Sequence, residues 1–240
     1  MKLGIRFLIS LVIILLLVGV YYYFRRSGDS VRNQHVTDWF HDPTAYADWM
    51  VHKGQQCGTA PFILPTDGFI GYLYDDSFRP GHRHQGIDIF GGEQPGLTPV
   101  IAAYGGYLTR LPDWKSSVII RIPDDPLHPG RQIWAYYTHM ADPNGISWIN
   151  VAFAPGTVEI PVKAGDLLGY QGNYSGDPNN PVGVHLHFSI VLDDGMGRYK
   201  NELEITNTID PSDYFQLNLN GQNNRDEIPV CRPPIVKTVQ

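Results

Sequence analysis

Between residues 99 and 192 the chain is cut into five short apolar runs, each bounded by glycine, proline, asparagine or aspartate. They read PVIAAYGGYLTRL (99–111), SSVIIRI (116–122), RQIWAYYTHM (131–140), VKAGDLLGYQG (162–172) and VGVHLHFSIVL (182–192). A glycine pair interrupts the first of them, valine and isoleucine are frequent in the second and last, and aromatic residues in the third. Runs this short, rich in β-branched and aromatic residues and separated by turn formers, predict a mainly β, antiparallel domain.

The last run carries two histidines one residue apart. On a strand Val184, Leu186, Phe188 and Ile190 form one apolar row, while His185 and His187 share the other face. A solvated face would account for the pair, and so would a site. A second cluster, GHRHQGIDI (81–89), sets His84 and Asp88 four apart, and Gly86 with Ile87 and Ile89 favours a turn leading into a strand over a helix. In the third run, alternation puts Ile133, Ala135, Tyr137 and His139 on one face. Imidazole and carboxylate are the ligand types that zinc takes in open catalytic sites, three from the protein at a time. His84, Asp88 and one of His185 or His187 supply such a set, and the remaining imidazoles titrate in the range where proton exchange with water is useful. His82 is expected to be a neighbouring or solvated residue, and His35, His41, His52 and His128, in linker or loop sequence, are expected to be solvated.

At the N-terminus, FLISLVIILLLVGVYYYF (7–24) holds no charge and is closed by Arg25 and Arg26. At about 1.5 Å per residue it reaches roughly 27 Å, close to the ~30 Å hydrocarbon core of a bilayer. Three tyrosines and two arginines at its end suit the membrane interface. No small-residue cleavage site follows, which favours a retained transmembrane helix over a cleaved signal. Lys2 and Arg6 on one side nearly balance Arg25, Arg26 and Arg32 on the other, so charge does not set the orientation. Residues 1–26 are read as the anchor and 27–60 as a juxtamembrane linker with a short helix over 36–51, where Trp39, Phe40, Tyr46, Trp49 and Met50 recur at loosely helical spacing. Residues 61–215 form the β domain, and 216–240, rich in asparagine, proline and charge, a C-terminal extension.

The formal net charge of -6 comes without a basic stripe, which argues against a nucleic-acid partner. Cys57 and Cys231 fit either one disulfide outside the cytoplasm or two buried thiols, and they form no Cys-x-x-Cys pair. The chain contains no His-Glu-x-x-His, no Gly-x-Ser-x-Gly and no phosphate-binding loop.

HQGIDI, YYTHM and GVHLHFSI, together with PVIAAYGGYLTRL and VKAGDLLGYQGNYSG, resemble the M23 family of zinc metallopeptidases, the LytM or lysostaphin type that cleaves peptidoglycan peptides. The likeness runs from about residue 65 to 191, with the motifs in the family's order. It implies a small antiparallel β domain with an active-site groove across one sheet, and one Zn2+ held by His84, Asp88 and His187. It also implies that His139 and His185 are catalytic imidazoles that do not bind the metal. Met140 stands where an aliphatic residue such as leucine is more usual, a volume-conserving change. Asn173-Tyr174-Ser175 matches a glycosylation acceptor but lies in the GNYSG turn of the resembled motif. The implied protein is a single-pass membrane endopeptidase whose domain meets peptidoglycan outside the cytoplasm, where a Cys57–Cys231 disulfide is expected. The alternative is a non-catalytic wall-binding or hydrolase-activating module with the same fold, against which the full set of five side chains argues.

Overall fold

The computed structural model describes residues 11–20, 31–77, 81–224 and 226–231. Its strands are β1 (Met50–Val51), β2 (Gly68–Tyr72), β3 (Ile87–Phe90), β4 (Pro99–Ile101), β5 (Gly106–Thr109), β6 (Val118–Ile122), β7 (Ile133–Thr138), β8 (Ile160–Val162), β9 (Leu167–Tyr170), β10 (Leu186–Leu192) and β11 (Thr208–Ile209). Two helices, α1 (Val31–His41) and α2 (Ser212–Phe215), flank the strand region. The main sheet has the order β1-β2-β3-β10-β7-β6-β5-β8, and β4 pairs with β9 in a separate two-stranded sheet. Each strand pair is antiparallel, as the short punctuated runs predict.

β10 is the spine of the sheet. β7 lies along one of its edges, and the other edge is shared by β3 at Leu186 to Phe188 and by β11 at Ile190 and Val191. From Leu186 onward its alternation is the predicted one: Leu186, Phe188 and Ile190 are fully buried in the main core with Ile87, Ile89, Ile120, Ala135 and Tyr137, whereas Val184, expected in the same row, precedes the strand and is half-buried outside that core. Leu64, Val100 and Leu168 belong to the same core. On the opposite face Val191 joins Ile119, Trp134 and Tyr136 in a smaller cluster, and His187 points to that side too. A one-residue slip of β10 would exchange these two faces, so core burial fixes the register that places His187.

The N-terminal helix differs from the expected 36–51. α1 ends at His41, before Asp42-Pro43, because proline cannot continue a helix and biases the residue before it away from helical angles. Asp42 Oδ1 instead accepts from the Thr44 and Ala45 backbone amides and shapes the turn. Val36 and Trp39 of α1 pack with Phe69 and Phe90, and Tyr46, Trp49 and Met50 reach the same cluster from the segment beyond the turn. His35, expected to be solvated, is half-buried edge-on against Trp49.

Residues assigned above to the linker and the extension contribute Val51, Cys57 and Leu219 to the main core. The expected Cys57–Cys231 disulfide is formed, with Cα atoms 5.2 Å apart. Residues 11–20 are helical and exposed, and the two ends of the predicted membrane span, 7–10 and 21–24, lie outside the described residues. Among the described residues no helix is long and apolar enough to cross a membrane.

Candidate active site

Three of the histidine motifs meet where β3, β10 and the end of β7 adjoin. His187 of β10 pairs across the ladder with Asp88 of β3 on one side and with Thr138 of β7 on the other. Gly86 lets β3 close on β10, since a Cβ there would collide with the Phe188 carbonyl oxygen. His84 precedes β3 on a turn held by backbone bonds from Asp75 N–H to its carbonyl (2.8 Å) and from its own N–H to the Asp76 carbonyl (2.9 Å).

The resulting triad is tight. His84 Nε2 lies 3.1 Å from Asp88 Oδ1 and 3.0 Å from His187 Nδ1, and His187 Nδ1 lies 2.8 Å from Asp88 Oδ1. A carbonyl can only accept, so the 2.8 Å contact of His84 Nδ1 with Leu73 O places the ring hydrogen on Nδ1. In the neutral ring Nε2 then carries a lone pair aimed at Asp88 and His187. Two imidazole nitrogens and a carboxylate oxygen converging on one point form a group that could hold a metal ion, and a carbonyl orienting a ligand imidazole is the usual supporting contact.

Burial works against charge throughout the site. It would raise the Asp88 carboxyl, yet the imidazoles of His84 and His185, with His187 Nδ1 at hydrogen-bond distance, hold it well below the usual carboxylate range. Burial would likewise lower His84, but Asp88 lifts it above its ordinary value. For His187 burial prevails and the shift is downward.

His185 stands just before β10, bridged to Gly172, with its Nε2 3.6 Å from Asp88 Oδ1. Its Nδ1 hydrogen goes to the Gly183 carbonyl at 2.6 Å, and burial pushes its pKa down to about 4. His139 reaches the same place by a route that alternation does not give. Ile133, Ala135 and Tyr137 face the main core as expected, but β7 stops at Thr138 and His139 takes a left-handed backbone, φ 70°. That turn reverses the side chain away from the core face. Its ring centre lies 4.5 Å from that of His185 and 6.2 Å from that of His187, and its Nδ1 donates to the Tyr174 carbonyl at 2.7 Å. Burial, with His187 nearby, lowers its pKa as well.

All five predicted side chains thus line one cavity of about 550 Å³, and His82 sits on its rim, its ring centre 6.4 Å from that of His84. The other four histidines do not reach it. The sequence reading missed three kinds of contributor. Leu73, Gly183 and Tyr174 orient imidazoles through backbone carbonyls, and of these Leu73 alone lay outside the recognised motifs. Thr138 and Tyr136 line the cavity and share Ser117 Oγ, at 2.7 and 3.0 Å. Val36 and Phe40 line it from α1, in sequence read as linker.

No family model matches this chain, and no curated protein matches it. Among solved structures it is similar to the catalytic domain of the antimicrobial peptidase lysostaphin from Staphylococcus simulans, at 20% identity and a TM-score of 0.40 over 62% of this chain and 90% of that one. A catalytic domain of a prophage-encoded M23 protein from Enterococcus faecalis gives 21% identity and 0.38 over 62% of this chain and 95% of that one. A protein named lytM from Ruminococcus gnavus gives 23% and 0.36 over 63% and 62%. Likeness at these levels carries no inference of activity or substrate.

Proposed function

We propose that this chain is a membrane-anchored zinc endopeptidase that hydrolyses peptide bonds of cell-wall peptidoglycan, with His84, Asp88 and His187 holding one Zn2+ and with His185 and His139 handling protons. The observation that carries this reading is the meeting of His84 Nε2, Asp88 Oδ1 and His187 Nδ1 within 3.1 Å of one another, beside the buried His185 imidazole and the half-buried His139 ring in contact with it. Zinc at this donor set would supply Lewis-acid chemistry, polarising a peptide carbonyl and acidifying water.

The chain's own groups supply the rest. His185 commits its Nδ1 hydrogen to Gly183, so the neutral ring keeps Nε2 as its acceptor, and burial keeps the ring neutral at physiological pH. It takes the proton of the attacking water. His139, fixed through Nδ1 by Tyr174, has the same tautomer, and burial lowers its pKa too. Its free Nε2 lets it share the proton that leaves the attacking water and pass that proton to the departing amine.

The anchor rests on the uncharged run 7–24 and the absence of a cleavage site after it. The Cys57–Cys231 disulfide suits an oxidising, extracytoplasmic compartment, where peptidoglycan lies. Full-length chain in detergent, loaded with zinc and incubated with peptidoglycan of defined crosslink, should release fragments with new amino termini identifiable by mass. His185→Ala and His139→Ala should each lower that release at least about 100-fold, the low end for acid-base catalysis. Intact peptidoglycan after incubation with the wild type would overturn the reading.

A further inference from the structure

α1 meets the sheet through Val36, Trp39 and Phe40, which lie on one helical face at i, i+3 and i+4. Two of its contacts use the missing side chain of a glycine. A Cβ on Gly71 would lie 2.9 Å from Val36 Cγ2, and one on Gly183 would lie 2.8 Å from Phe40 Cζ. At the start of the helix, buried Arg32 donates through Nη2 to the carbonyl (3.2 Å) and Oδ1 (3.3 Å) of Asn224, which fixes α1 against the domain. Trp39, 1% exposed, supplies the apolar anchor.

Phe40 stays 48% exposed. Its ring packs edge-on against Phe90 at 5.1 Å, and Phe90 lies 5.0 Å from the His185 ring. Phe40, Val36, Phe90 and Val182 therefore give the cavity an apolar stretch of lining that reaches His185 through Phe90. Backbone amides of a substrate gain nothing from such a wall. An aliphatic side chain does, because it leaves water on contact.

We propose that Phe40 is a specificity-determining residue of this site. Its ring forms a wall that accepts an aliphatic side chain on the substrate residue beside the cleaved bond, so a peptide carrying alanine there is preferred over one carrying glycine. This rests on the peptidase reading above, and the experiment separates the two. Two peptides that differ only by alanine or glycine at that residue are compared on the full-length, zinc-loaded chain. Wild type should favour the alanine peptide in kcat/KM by about tenfold, the low end of what one small apolar group gives in a formed pocket. Phe40→Ala should bring the kcat/KM ratio of the two peptides near one, and Phe40→Leu should keep an intermediate ratio. Binding of the same peptides to full-length His185→Ala, by titration calorimetry, reads the preference without turnover. If the wild type cleaves neither peptide, the peptidase reading falls, and the Kd ratio still decides on Phe40. An unchanged ratio in Phe40→Ala, or a wild-type preference for glycine, overturns the proposal.

Discussion

Asp88 and His187 face each other directly across β3 and β10, with Oδ1 and Nδ1 2.8 Å apart, so the sheet register itself brings the second and third members of the triad together. His84 is added from the turn before β3, and His185 and His139 from the ends of their strands. The site is therefore a property of how three strands are paired, and its parts can be tested one at a time.

His139 adopts φ 70°, a backbone that costs an L residue roughly 1–2 kcal/mol and glycine almost nothing. His139→Gly is expected to be more stable than His139→Ala by about 1 kcal/mol, the reverse of the usual order of these residues. Urea unfolding of the two variants checks this, and equal midpoints would contradict the stored strain.

Asp125 is buried away from the site, where its Oδ2 accepts from Tyr214 Oη (2.8 Å) and Arg131 Nε (2.7 Å) and its Oδ1 from the Leu127 amide (2.9 Å). Burial opposes the charge, but these donors and the guanidinium hold the carboxyl below its usual range. A depressed folded-state pKa contributes stability that is complete above the unfolded value, near 4, and is lost as pH falls through the folded value. Asp125→Ala, which leaves Tyr214 and Leu127 donors unpaired, should cost about 3 kcal/mol at pH 7. The gap to wild type should shrink progressively below about pH 4. A gap independent of pH would contradict the assignment.

The Cys57–Cys231 bridge spans 174 residues and ties the C-terminal segment to the main core. Closing so long a loop stabilises by about 5 kcal/mol at most in the chain-entropy account. Cys231→Ser should unfold at lower urea than the oxidised wild type, and reductant should lower the wild type toward it without affecting the variant. Coincident curves with and without reductant would contradict this.

The sheet was legible because its core strands obey a period of two: Leu186, Phe188 and Ile190 are buried as the alternation requires. His84, Asp88 and one of His185 or His187 were legible as metal-ligating types at spacings that a turn and a strand can bring together, and the choice of His187 came from the family resemblance alone. His139 was placed on the wrong face because a left-handed turn after Thr138 reverses it, and nothing local announces that conformation in a residue other than glycine. The extent of α1 was overread because aromatic spacing continues past Pro43, although the proline itself marked the stop. Phe40 could not be assigned to the site because its position depends on where α1 docks, a tertiary matter. The orienting carbonyls of Leu73 and Gly183 leave no trace in residue identity at all.

The most direct test of the account is the zinc content of folded His187→Ala beside folded His185→Ala. The two histidines are separated by a single residue, and the account gives them different tasks. His187→Ala leaves two of three ligands and should lose the metal, whereas His185→Ala should retain one zinc per chain, as the wild type does. Retention by His187→Ala together with loss from His185→Ala would contradict the account.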